Sequence, residues 1–292
     1  MSINKIKKKN DTNFNKNQIL TKILSSSFFK HQRLIDDFHI KWLDKKSWEQ
    51  VIDGYESFLN ESKKKEIVPR IIHQIWLGSK IPKKYFIWRK SWMDQNPGFK
   101  YVLWDEKKIL KTGLINEEKF LKTKNFGVKS DIARYEILYK FGGIYVDIDF
   151  EALKPIETKL LTRSFVAGQL FDYKPQINNA LIMSEPKSNF LNAAIYSLGE
   201  YHEDMTPHEV MSYSGPYYLS KLALKNLNST DILILPSQYF YPWPHFMKHD
   251  NNNPHSWKTN ITIAIHHWEA SWIKKSLLER LSIKLKKIIL KK

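Results

Sequence analysis

Asp147 and Asp149 are the residues whose type and spacing point most directly to chemistry. They stand two apart in Tyr145-Val-Asp147-Ile-Asp149, at the end of an apolar run. The run Ile144 to Ile148 reads as a buried strand, where residues i and i+2 share a side. Both carboxylates are therefore expected to face one small volume at the carboxyl edge of a sheet. Two anions held that close repel unless a cation lies between them. A divalent ion is the economical answer, because hard carboxylate oxygens suit Mg²⁺ or Mn²⁺ and an octahedral ion keeps positions open for the oxygens of a diphosphate. Such an ion acts as Lewis acid and template for a diphosphate leaving group.

Aspartates at this spacing also occur by chance on surface turns, so the neighbouring residues matter. Sixteen residues before Asp147 stands Asp131, and Arg134 follows one helical turn later, on the same face of a helix read over 129–141. Gly142-Gly143 breaks that helix and lets it fold back beside the strand. Arg134 suits a phosphate or a bidentate carboxylate, and Asp131 suits sugar hydroxyls. The bland alternative for the pair is an exposed ion pair on a helix surface.

The elements that must position these residues follow from apolar spacing. Ile71 to Leu77, closed by Gly78, reads as a strand covered on both faces. A helix over 83–94 stops at Asn96-Pro97-Gly98, and Tyr101 to Trp104 makes the next strand, giving a βαβ unit and a Rossmann-like half. Strands are expected at 165–167, 180–183, 232–235 and 261–265, and helices at 190–198 and 217–227. The stretch Tyr239 to Pro254 reads as a long functional loop. Residues 1–66 form a basic arm and helical extension, 67–272 the α/β catalytic domain, and 273–292 a basic helix with an apolar stripe.

Bulk properties narrow the class. A chain of 292 residues holds one α/β core with some surplus. Without cysteine, disulfides, thiolate nucleophiles and cysteine-bound zinc are excluded. The net charge of +17 is concentrated at the ends: residues 1–30 carry +6 and residues 271–292 carry +7. That distribution fits attraction of the ends to an anionic membrane or polyanion rather than a groove-lining basic face, and no nucleic-acid partner is expected. With no apolar leader or spanning stretch, a cytoplasmic protein, peripheral on the inner membrane face, is expected.

Three blocks in order, Pro69-Arg-Ile-Ile-His-Gln-Ile-Trp76-Leu-Gly78, Asn96-Pro97 with Leu103-Trp104-Asp105, and Ser130-Asp131-Ile-Ala-Arg134-Tyr135 through Gly142-Gly143-Ile-Tyr145-Val-Asp147-Ile-Asp149, resemble glycosyltransferase family 32. That family holds fungal Golgi mannosyltransferases and bacterial polysaccharide enzymes, and is related to the large glucosylating cytotoxins. The similarity covers about residues 68–275. It implies a GT-A fold and retaining transfer of a hexose from a UDP- or GDP-sugar, with Mn²⁺ or Mg²⁺, to a glycan, lipid-linked or polysaccharide acceptor. Carried onto this chain, Trp76 stacks on the base, Asp131 and Arg134 hold the donor sugar, Asp147 contacts ribose and sugar, and Asp149 binds the metal. Tyr145 lies near the donor, and Asn179, or Asn178 in its place, lies beside the sugar. His266-His267-Trp268-Glu-Ala-Ser271-Trp272 resembles the closing segment that completes the site. His266 is the first choice for the last metal ligand and His267 the fallback, with Trp272 at the donor. Ser214-Gly215-Pro216 also resembles a family motif, or is simply a helix start.

Two other functions share some of these features. Haloacid-dehalogenase-like phosphatases also end a strand in Asp-x-Asp, but Phe150-Glu151-Ala152 lacks the Gly or Thr their pattern wants. A degenerate sugar-binding scaffold would not need the intact acidic set. Within the transferase reading, a secreted effector that glycosylates a host protein is the second option.

Overall fold

The computed structural model describes residues 26, 45–62, 64–170, 175–227, 232–249 and 253–269. Apart from Ser26, the expected arm through residue 44 lies outside them, as do the basic helix 273–292 and Trp272.

A six-stranded sheet organises the chain in the order β2-β1-β3-β6-β5-β7. Its strands are β1 (Ile71–Ile75), β2 (Lys100–Trp104), β3 (Gly143–Val146), β5 (Phe165–Leu170), β6 (Gln176–Ser184) and β7 (Ile232–Leu235). Five run in one direction, and β6 alone is antiparallel to its neighbours. This is the mostly parallel, Rossmann-like α/β architecture expected of the GT-A class. A separate two-stranded ribbon pairs β4 (Phe150–Ala152) with β8 (Ala264–His266). Near-continuous burial along β3, β6 and β7 explains their apolar runs, because both faces of the sheet are covered.

Helix α1 (Lys45–Asn60) lays Trp48, Val51, Ile52, Tyr55 and Phe58 into the same core, packing beside β7. Helix α2 (Tyr85–Gln95) is the crossover between the parallel strands β1 and β2. Short helices α3 (Glu106–Leu110) and α4 (Glu117–Lys122) lead into α5 (Phe126–Phe141). Beyond β6 come α6 (Asn189–Tyr196), α7 (Pro207–Tyr213) and α8 (Pro216–Lys225). The capping box of α7, Thr206 with Glu209, marks a helix absent from the sequence reading.

Helix α5 begins at Asn125, whose side chain accepts hydrogen bonds from the N–H groups of Gly127 and Val128. It ends at Gly142, and Gly142 and Gly143 adopt φ of 63° and 102°. A methyl group on Gly143 would lie 2.6 Å from the Ile71 carbonyl oxygen, so the turn requires glycine for space as well as for conformation. His73 on β1 fastens this turn. Its Nε2 donates to the Gly142 carbonyl at 2.9 Å while Nδ1 accepts from the Trp104 indole at 3.0 Å, which fixes a neutral tautomer. Burial is the main cause that lowers the His73 pKa to about 4.

Two expectations are corrected. The strand ends at Val146, so Asp147, Ile148 and Asp149 occupy the turn between β3 and β4. The stretch from Tyr239 is not a free loop at its start: Tyr239, Phe240, Tyr241 and Trp243 are buried, and Phe240 and Tyr241 fill the space beside Gly168. Their aromatic mass belongs in the core and draws the backbone inward.

His73 is neutral in the fold but protonates near pH 6.5 when unfolded, so its contribution to stability is full above 6.5 and lost as pH falls toward 4. The shift corresponds to about 3 kcal/mol. Urea titrations across that window are expected to show this loss in the parent and a flatter profile in His73→Gln.

Candidate active site

The acidic turn is anchored at both ends. The Asp147 N–H donates to the Ala180 carbonyl at 2.8 Å, tying it to β6, and the Phe150 N–H donates back to the Asp147 carbonyl at 3.2 Å. The ribbon then fixes the third member, because Phe150 faces His266 in the β4–β8 register. The His266 ring stacks on Phe150 with centroids 4.4 Å apart, and its Nε2 lies 3.1 Å from Asp149 Oδ1. Asp147, Asp149 and His266 offer ligand atoms that all lie within 4.8 Å of one another. A turn and a paired strand bring them together, not the alternation along one strand expected above.

Trp268 has φ of 53°, rare for a bulky residue, and this bend is followed by a Glu269 N–H that donates to Asp149 Oδ2 at 2.7 Å. Burial pushes the Asp149 carboxyl up, but His266 and the Glu269 N–H outweigh it and hold the group at about 2. Burial raises the Asp147 carboxyl; Arg134 opposes that rise and the charge of Asp149 adds to it. Two carboxylates and one imidazole nitrogen form a donor set that fits a divalent first-row ion, and the imidazole favours Mn²⁺ over Mg²⁺. His266 Nδ1 is buried without a hydrogen-bond partner, so stacking on Phe150 and a tilted contact with Trp268 orient the ring.

Behind the turn lies a second buried network. Arg134 Nη2 is 3.2 Å from Asp131 Oδ1 and 3.4 Å from Asp147 Oδ1. The bland reading of an exposed pair does not hold, since Asp131 and Arg134 are 6% and 5% exposed. Asp131 also accepts from Asn179 Nδ2 and from Ser214 Oγ, each at 2.8 Å. Burial is the main cause that raises its carboxyl to about 6, and Arg134 and these donors moderate the rise. Arg134 further donates from Nη1 to the Asn179 carbonyl at 2.7 Å and from Nη2 to Ser130 Oγ at 2.9 Å, and its guanidinium covers the Tyr145 ring at 4.4 Å.

The remaining expected residues divide. Asn179 joins the network, whereas Asn178 turns back to accept from the Ala180 N–H at 3.0 Å. Tyr145 is buried, with its hydroxyl donating to Asp147 Oδ1 at 2.5 Å, so it orients the aspartate. Trp76 is half-buried past the end of β1, its indole bound to the Ser79 carbonyl at 2.6 Å and its ring 5.3 Å from Tyr85. His267 points elsewhere: its Nε2 is 3.0 Å from Glu151 Oε2, and it stacks on Trp88 at 4.1 Å.

Sequence reasoning missed the role of Ser214. Gly215 and Pro216 start α8, the helix start considered for them, and the Ser214 side chain donates to Asp131. Tyr135 was also passed over. Its hydroxyl donates to the Ser214 carbonyl at 2.5 Å and accepts from Asn179 at 2.9 Å. A buried polar residue one position after Arg134 was the available signal, since such groups need partners.

An α/β scaffold with a cation-ready acidic turn at the end of β3 defines the class to which the chain is to be compared. Residues 82–167 match the family described as the glycosyltransferase sugar-binding region containing a DXD motif. It is 29% identical over 210 residues to inositol phosphoceramide mannosyltransferase 1 of Schizosaccharomyces pombe, covering 68% of this chain and 61% of that one. It is 30% identical to a mannosyl phosphorylinositol ceramide synthase of Saccharomyces cerevisiae, over 54% of this chain and 42% of that one. The chain thus spans less than two thirds of these relatives' lengths. Among solved structures, the catalytic domain of alpha-toxin from Clostridium novyi aligns with a TM-score of 0.46 at 13% identity, over 98% of this chain and 93% of that one.

Removing the cation of the inner network leaves Asp131 and Asp147 as uncompensated carboxylates. Arg134→Leu is expected to cost about 3–5 kcal/mol of unfolding free energy in urea.

Proposed function

We propose that this chain is a retaining, Mn²⁺-assisted hexosyltransferase that uses a UDP- or GDP-sugar and acts on a lipid-linked or glycan acceptor. One observation carries the reading: Asp147, Asp149 and His266 converge within 4.8 Å immediately beside the buried Asp131–Arg134 pair. The match of residues 82–167 to the DXD family supports it, and the names of the two yeast relatives favour mannose as the sugar and a phosphoinositol-ceramide-like acceptor.

Asp149, Asp147 and His266 would hold the ion, which when bound supplies Lewis-acid neutralisation of the departing diphosphate. Trp76, half-buried after β1, offers a ring face for the nucleotide base. Asp131 keeps acceptor capacity for a sugar hydroxyl, because a carboxylate has about four lone-pair positions and the protein fills only some of them. Arg134 has most of its N–H groups bound to Ser130, Asn179 and the two aspartates. Its main work is therefore to hold those acids in place and bring positive charge to the donor, with direct phosphate contact secondary. Asn179 and Ser214 align Asp131, and Tyr145 aligns Asp147.

Trp272 at the donor, and attachment of the basic segment 273–292 to an anionic membrane on the cytoplasmic side, belong to the same proposal. Transfer to a host protein is the second reading, and the names of the two yeast relatives favour the first.

Hydrolysis of a panel of UDP- and GDP-sugars by the purified chain with Mn²⁺, quenched by EDTA, is the direct test. Proton NMR of the transfer product reads the anomeric outcome. Asp149→Ala is expected to abolish Mn²⁺-dependent turnover with thermal unfolding preserved; unchanged turnover in that variant would sink the reading.

A further inference from the structure

Helix α2 turns the wrong residues outward. Its inner side carries Tyr85, Trp88 and Trp92, with Trp92 Nε1 bonded to the Phe150 carbonyl at 3.0 Å and Ser91 Oγ accepting from the Ala152 N–H at 2.8 Å. Phe86, Ile87 and Met93 are 47%, 71% and 42% exposed. At 100° per residue they lie, with Lys83, Lys90 and Asp94, on one outward arc of about 120°. An ordinary surface helix places polar residues on such an arc.

The charges around this arc are mostly of one sign. Residues 79–95 contain Lys80, Lys83, Lys84, Arg89 and Lys90 against Asp94 alone, a local charge of +4. Lys84 pairs with Glu269 and Lys90 with Asp94, while Lys80 and Lys83 have no carboxylate partner among the described residues. Exposed apolar side chains interleaved with unpaired lysines match the requirements of an anionic lipid interface, where the rings and aliphatic groups enter the acyl boundary and the ammonium groups meet headgroup phosphates.

The position of the helix gives the arrangement a purpose. Tyr85 lies against Trp76, Trp88 stacks on His267, and Lys84 holds Glu269, whose N–H grips Asp149. The exposed arc and the rim of the acidic site are thus two sides of one helix. We infer that α2 is an interfacial docking helix that seats the mouth of the site on an anionic lipid surface. Its consequence, that the acceptor hydroxyl is presented from that surface, rests on the proposed function; the docking itself does not.

The test uses the full chain, so that any attraction from its basic ends is the same throughout. Co-sedimentation with phosphatidylcholine vesicles containing phosphatidylserine is compared for the parent and for Phe86→Ser, Ile87→Ser, Met93→Ser combined. The triple variant is expected to lose at least about tenfold in partitioning, because several buried methylene equivalents are removed from the interface. Its thermal unfolding and its Mn²⁺-dependent donor hydrolysis without vesicles are expected to match the parent. Lys80→Glu with Lys83→Glu is expected to weaken binding to the anionic vesicles alone. Undiminished binding of the triple variant overturns the inference. So does a parent that ignores vesicles, binds pure phosphatidylcholine equally well, or uses the arc to self-associate in sedimentation equilibrium. Failure of donor hydrolysis in the parent with vesicle binding intact would count against the catalytic reading only.

Discussion

Asp131 and Asp147 crowd around one buried arginine, with Asp149 two residues beyond, and the surrounding structure answers the repulsion among the three. Arg134 lies between Asp131 and Asp147, His266 stands against Asp149, and hydrogen-bond donors from Ser214, Asn179, Tyr145 and the Glu269 backbone take up the remaining charge. One guanidinium cannot neutralise three carboxylates at low dielectric, which is why burial still pushes Asp131 and Asp147 upward. The cluster opens toward solvent at half-buried Asp147. A divalent ion there would relieve the strain that the protein's own cation leaves.

The framework around the site is densely bonded for the same reason. A buried polar network stabilises only when all of its members are satisfied. The Gly142-Gly143 turn, wedged between Pro69, Pro186 and the Ile71 carbonyl, allows α5 to return beside β3 so closely that Arg134 can reach the acidic turn. His73 and Trp104 lock that turn from the β1–β2 side. The register irregularity between β5 and β6, where Ala167 pairs with Ile182 but Gly168 with Asn178, falls at Asn179. A bulge of this kind re-aims a side chain, and here it serves the residue that links Asp131 to Tyr135.

Helix α2 couples this interior to the exterior. Its Trp92 binds β4 of the ribbon and its Trp88 stacks on His267, its first turn reaches Trp76 and Glu269, and its outer arc is apolar and basic. Solubility would be better served by a polar arc. An arc of this composition therefore implies an interface, and its placement ties that interface to the rim of the site.

The sequence by itself determined the alternation of strands and helices, the glycine turn, the acidic pair, and the shared face of Asp131 and Arg134. Each of these is encoded within a few neighbouring residues, by apolar period, by glycine at positive φ, or by i,i+3 spacing. Only the tertiary structure decided that Asp147 and Asp149 sit in a turn, that His266 rather than His267 faces them, and that Ser214 and Tyr135 complete the support of Asp131. Those outcomes depend on partners far off in the chain, 83 residues between Asp131 and Ser214 and 117 between Asp149 and His266, or on a backbone bend at Trp268 that local propensity disfavours. The burial of Tyr239 to Trp243 and the exposure of Phe86 and Ile87 belong with them. An aromatic residue looks the same in a sequence whether it faces a core or a membrane, and only the packing around it tells which.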